Sequence, residues 1–149
     1  MNEFERSLNH LLVHTFNTIL KYEESTLKKY GAVPVTITEA HMIEAIGRHE
    51  NGATVGEVAA DIGVRMPTAT VALKKLVEKG LVTKETCTVD RRRTFVSLTT
   101  LGRRMQHAHE FFHRSMIREV TAGFGEDERK LLLTVIDRLN SFFVAKSKK

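Results

Sequence analysis

Two imidazoles four residues apart carry the first chemical signal. His109 and His113 bracket the run His109-Glu110-Phe111-Phe112-His113. This H-E-x-x-H spacing puts both rings on one helix face, where they can share a metal ion with the glutamate as general base. A zinc hydrolase is therefore one function class to weigh. No third-ligand pattern follows the run, which weakens that reading. The other reactive side chain is Cys87, the single cysteine. It has no intrachain partner for a disulfide, so a reducing, cytoplasmic setting and an inert thiol are expected.

A second signal is electrostatic. The 149 residues carry a net charge of +5, unevenly spread. Residues 1–63 hold five Lys/Arg against nine Asp/Glu, residues 64–104 ten against three, and residues 105–149 eight against six. The middle segment alone exceeds the total excess. A basic block inside a folded region marks a polyanion-binding face. Its densest part is Asp90-Arg91-Arg92-Arg93. Three adjacent guanidinium groups repel one another unless an anion is near, and a narrow minor groove attracts inserted Arg. Asp90 can pair with one of them and fix its direction.

The elements that must position these groups follow from periodicity. Phe4, Leu8, Leu11, Leu12, Phe16, Ile19, Leu20 and Leu27 recur at helical spacing, predicting a helix over about 3–29 that Gly31 and Pro34 stop. A second helix starts near Thr38. Thr36 and Glu39 have capping-box spacing, Thr38 competes as cap, and Ala40, Ile43 and Ile46 form the apolar face. Thr54 and Glu57 form a cleaner box opening a short helix. Gly63 gives a turn, Pro67 suits a first helical position, and Gly80 ends that next helix. Leu81–Val89 and Thr94–Thr99 then read as a two-stranded hairpin around the charged tip. Thr99 or Thr100 caps a fifth helix reaching about Ala122, and Glu126 and Asp127 open a sixth striped by Leu132, Val135, Ile136, Leu139 and Phe143. No apolar run is long enough to span a bilayer.

The order helix, turn, helix, hairpin over Thr54–Val82 and beyond is a winged helix-turn-helix. The expected fold is mainly α with a small two-stranded wing, one domain over 1–149, with the winged part at about 36–99. The second helix of the pair fits the major groove. Ala69, Ala72, Leu73 and Leu76 should face the core. Thr68, Thr70 and Val71 should face bases, Lys74 and Lys75 phosphates, with Arg65 and Pro67 at the helix start. Hydroxyls and methyls suit thymine better than guanine, which usually takes Arg or Lys.

These pieces resemble the MarR family of bacterial regulators. The resemblance rests on the long first helix, ITEAHMIEAIG, TVGEVAADIGV, the segment ending LVEKGLV, and the wing VDRRRTFVSLTTLG, whose Asp90-Arg91-Arg92 fits a D-x-R pattern. It implies a homodimer whose first and last helices, about 1–35 and 100–149, interlock. It also implies repression at a pseudo-palindromic duplex operator, with Arg92 in the minor groove and Asp90 orienting it. The unpaired apolar stripes agree, because such a stripe must be covered. Met66-Pro67 departs from the Ser or Arg often found there. Within the family, Phe16-Asn17, Glu23-Glu24, His41, Ile43, Ile46-Gly47 and His109–Met116 resemble the branch that represses fatty-acid synthesis genes. That branch takes a long-chain acyl group on its carrier protein as corepressor. Zinc-responsive members place a His at the position of His41, a His pair at His109 and His113, and a glutamate in the first helix, here Glu23 or Glu24. Other acidic ligands of those members fall at Ala40 and Ala108. The remaining expectation is an apolar effector pocket lined from Met42, Ile46, Met105, Phe112 and Met116, with plain core as the alternative.

Overall fold

Local capping chemistry fixes where the helices of the central part begin. In the computed structural model, which describes residues 1–30, 33–86 and 94–147, α1 spans Glu3–Tyr30, α2 Ile37–Gly47, β1 Ala53–Thr54, α3 Val55–Asp61 and α4 Met66–Glu78. The strands β2 (Val82–Thr86) and β3 (Thr94–Leu98) follow, then α5 (Thr100–Val120) and α6 (Glu126–Ser147). Both expected capping boxes form. Thr36 accepts from the Glu39 N–H and its own N–H donates to the Glu39 carboxylate, so Thr36, not Thr38, caps α2. Thr54 and Glu57 do the same for α3. Each reciprocal pair satisfies two backbone donors that a helix start would otherwise leave bare. Pro67 stands in the first turn of α4, one residue inside Met66.

Among the described residues the sheet has three strands in the order β1-β3-β2, one more than the expected hairpin. Ala53 and Thr54 pair with Val96 and Phe95, and β2 pairs with β3 from Val82↔Leu98 to Thr86↔Thr94. A two-residue strand has no period to read, so β1 leaves no trace in the sequence. It makes β3 the central strand and ties the wing to the start of α3. The tip residues Asp90, Arg91, Arg92 and Arg93, and Cys87, lie outside the described residues.

The chain divides into two compact units, Met1–Phe112 and His113–Lys149. In the first, Ala40, Met42, Ile43, Ile46, Val58, Ala69, Leu73, Leu76, Leu81, Val96 and Met105 form one buried core. Met42, Ile46 and Met105, expected to line an effector pocket, are among its members. Phe112 is buried beside Tyr22, with ring centroids 5.3 Å apart. Most of α1 is bare: Phe4, Leu11 and Phe16 are exposed, and among its described side chains only Glu23 and Leu27 are buried. The second unit holds the end of α5 and all of α6. No residue of α6 is buried, and Leu131, Leu133, Ile136, Phe142 and Phe143 are exposed.

The junction between wing and α5 is closely packed. Thr99 caps α5: its hydroxyl donates to the Gly80 carbonyl at 2.7 Å and accepts from the Gly102 N–H at 3.0 Å. A Cβ on Gly102 would collide with the carbonyl oxygen of Leu81, a backbone atom that cannot swing aside, and would crowd Leu98. We expect Gly102→Ala to destabilise the protein by about 2–3 kcal/mol, the cost of overpacking a rigid site. Urea unfolding at fixed protein concentration checks this, and an unchanged midpoint would show that the junction yields.

Candidate nucleic-acid interface and histidine cluster

The helix α4 sorts its side chains by face. Ala69, Ala72, Leu73 and Leu76 point into the core, while Arg65, Pro67, Thr68, Thr70, Val71, Lys74 and Lys75 are exposed. The sequence-predicted readers and cations thus share one surface. A groove runs along each flank of that surface. One, of about 420 Å³, separates α4 from the strands and is lined by Val55, Thr70, Leu73, Lys74, Lys84 and Val96. The other, of about 460 Å³, lies against the start of α2 and is lined by Thr36, Thr38, Pro67, Thr68, Val71 and Lys75. The helix stands proud between two depressions, with cations on its C-terminal half.

What holds α4 in that stance is a buried ion pair. Lys79, the residue after α4, reaches back to Glu39 in the first turn of α2 with Nζ–Oε2 at 2.7 Å. Glu39 is 2% exposed. Burial pushes its carboxyl up, but the Lys79 hydrogen bond, the Thr36 backbone N–H and the charges of Lys79 and Lys75 outweigh this and hold it below the ordinary value. Sequence reading found only the cap. The partner forty residues away carries no local signal.

A second buried cluster joins α1, α2 and α5. Glu23 Oε1 lies 2.6 Å from His109 Nε2 and 3.2 Å from His41 Nε2. Glu44 Oε2 stands 3.2 Å from the other nitrogen of His109. Between the adjacent glutamates the fold selects Glu23. Glu24 is exposed on the far side, where the hydrogen bond and charge of Lys28 at 2.8 Å lower its pKa. Glu44 went unnoticed in the sequence. One ligand atom each from Glu23, His41 and His109 lies within 4.8 Å of the others, the mixed N/O set that zinc accepts. Glu44 stands where a carboxylate would orient the His109 ring if that ring held a metal. His113 follows His109 by one turn on α5. In the H-E-x-x-H run, Glu110 accepts from Gln106 Nε2 at 2.8 Å.

An exposed helix flanked by grooves, a short helix before it and a three-stranded wing after it define a winged helix-turn-helix fold. A sequence model of the MarR family matches residues 33–93. The HTH-type transcriptional regulator PchR of Bacillus subtilis is 25% identical over 139 residues, covering 90% of this chain and 82% of PchR. Streptococcus pneumoniae FabT, solved in complex with DNA, superposes with a TM-score of 0.86 at 28% identity, covering 95% of this chain and 98% of FabT. The S. aureus MepR–DNA complex gives a TM-score of 0.77 at 18% identity over 91% of this chain and 95% of MepR. The winged helix-turn-helix segment of this chain thus matches the MarR family model, and the proteins it resembles over most of its length include transcriptional regulators of that type. The H-E-x-x-H run lies along α5 of this winged-helix fold, and no described helix is long and apolar enough to cross a membrane.

The Glu39–Lys79 pair has a testable consequence. Because the Glu39 pKa is depressed in the fold, the pair contributes stability above the unfolded carboxyl's pKa, and that contribution is lost as pH falls through the folded value. Lys79→Met should destabilise the protein at neutral pH by about 1–3 kcal/mol, because it strands a buried carboxylate. It should also flatten the acid limb of the stability profile. Thermal unfolding of both proteins from pH 7 downward checks this; parallel curves would remove the pair from the account.

Proposed function

We propose that this protein is a dimeric repressor that grips a pseudo-palindromic operator with two copies of α4, and that a fatty-acyl group on its carrier protein acts as corepressor. The observation carrying the DNA half is the face of α4. Thr68, Thr70, Val71, Lys74 and Lys75 are exposed together between two grooves, in the segment that holds ten Lys/Arg against three Asp/Glu. Lys74 and Lys75 take phosphates, Arg65 and Pro67 sit at the backbone entry, and Asp90, Arg91, Arg92 and Arg93 form the minor-groove element. The exposed apolar stripes of α1 and α6 support a second copy as their cover, since an uncovered stripe of that length is rare in a monomer. Half-sites are then about one turn, ~10 base pairs, apart. The likeness to FabT over nearly the whole chain supports the acyl branch, with Met42, Ile46, Met105 and Phe112 as the side chains that would part around an acyl chain. Met and Phe adapt well to such a ligand.

The Glu23–His41–His109 cluster favours a second reading, a zinc-responsive regulator. There His41, His109, His113 and Glu23 would hold the ion and Glu44 would orient His109. The two readings differ in sign. Acylated carrier protein should raise operator affinity in the first. In the second a chelator should lower it, and His113→Ala should mimic the chelator. Titrating operator binding with each in turn separates them.

The DNA half is tested by salt. Lys74→Ala and Lys75→Ala should each weaken binding to all duplexes and reduce the slope of log affinity against log salt by about 1. Arg92→Ala should weaken specific and non-specific binding alike. Fluorescence anisotropy over a salt series reads all three; slopes identical to wild type would detach these residues from DNA. A monomer at micromolar concentration in solution scattering would contradict the dimer.

A further inference from the structure

We infer that α4 reads thymine through its 5-methyl group, and that Thr70 serves in this as a methyl rather than as a hydroxyl. The inference rests on the DNA-binding reading above and names the chemistry by which that site chooses sequence.

The N-terminal half of a recognition helix is the part that meets base edges. Here that half carries no charged side chain. Met66 is 50% and Val71 58% exposed, and Pro67 and Thr68 are exposed beside them. Pro67, Thr68 and Val71 also line the groove against α2, together with Thr36, Thr38, Glu39 and Lys75. The Thr70 hydroxyl is already engaged, donating to the Met66 carbonyl at 2.9 Å. Its proton is therefore not available to guanine, whose major-groove edge offers only the acceptors N7 and O6. With the hydroxyl proton engaged on the helix, the γ-methyl is the part of this exposed side chain left to offer a base.

The residue inventory points the same way. Between Met66 and Lys75 there is no Arg, Asn or Gln, the side chains that read guanine and adenine with paired hydrogen bonds. The cations are Arg65 ahead of the helix and Lys74 and Lys75 two turns on. The major-groove edges of the four bases carry one apolar substituent, the C5-methyl of thymine. Apolar side chains carried into that groove gain by covering it and gain nothing elsewhere. The partner of this surface is thus a thymine-bearing step within each half-site.

The test uses wild-type protein and an operator selected by it from random duplexes. Each thymine is replaced in turn by deoxyuridine, which differs only by the methyl. One or two positions per half-site should weaken binding by about fourfold, the worth of one buried methyl group. With Val71→Ala, sensitivity at one of those positions should vanish. Thr70→Val keeps the methyl and should retain affinity. Thr70→Ser keeps the hydroxyl and should lose affinity by a similar factor. Full affinity for deoxyuridine at every position, or Thr70→Ser binding normally while Thr70→Val fails, overturns the inference and leaves a DNA-binding protein that reads by other means. Failure to select or bind any duplex would instead overturn the DNA-binding reading itself.

Discussion

The stance of the recognition helix depends on one buried carboxylate. Glu39 closes the capping box of α2 through Thr36 and takes the Nζ of Lys79 just beyond α4. A lone carboxylate 2% exposed would be costly to bury. Satisfied by a backbone N–H and an ammonium, it becomes a fixed point joining the start of one helix to the end of another. The core can then be nearly all apolar, because this pair already sets the relation of α2 to α4. Hydrophobic contacts between Ile43, Leu73 and Leu76 supply cohesion but little direction.

The wing depends on a different constraint, close approach of backbone. Gly102 lets the start of α5 lie against Leu81, and Thr99 stitches the same point to Gly80. With β1 pairing from the other side through Val96 and Phe95, the central strand β3 is held at both edges. A two-stranded ribbon alone would be marginal. The third strand, though two residues long, and the α5 junction make the hairpin a firm base for the basic segment between residues 86 and 94.

How much was legible in the sequence follows from the range of each interaction. The capping boxes at Thr36 and Thr54, the α4 face and the order of elements were legible, since each depends on residues three or four apart. β1 was not, because Ala53-Thr54 acquires its extended partner only when β3 arrives. The choice of Glu23 over Glu24 was not either. Neighbours on a helix point about 100° apart, and only the position of His41 and His109 decides which one is buried. Glu44 and Lys79 share that history: both meet their partners through tertiary packing. The apolar residues Met42, Ile46 and Met105 fit a pocket and a core equally well by spacing, and the fold enrols them in the core.

The two buried polar clusters share one helix, and that geometry limits how any effector can act under the proposed function. In α2, Glu39 and His41 are two residues apart and so project from widely separated directions. Glu39 meets Lys79 beyond α4, and His41 meets Glu23 of α1 beside His109 of α5. Glu44, a turn further along, stands against the other nitrogen of His109. A ligand that altered the Glu23–His41–His109 arrangement would act on the same rigid eleven-residue helix that anchors the recognition helix. Coupling of this kind needs no long relay of contacts. It needs only that α2 have two seats of similar free energy and that the ligand prefer one. Ligand and operator then bias one equilibrium, so whatever a ligand adds to operator affinity the operator must return to ligand affinity.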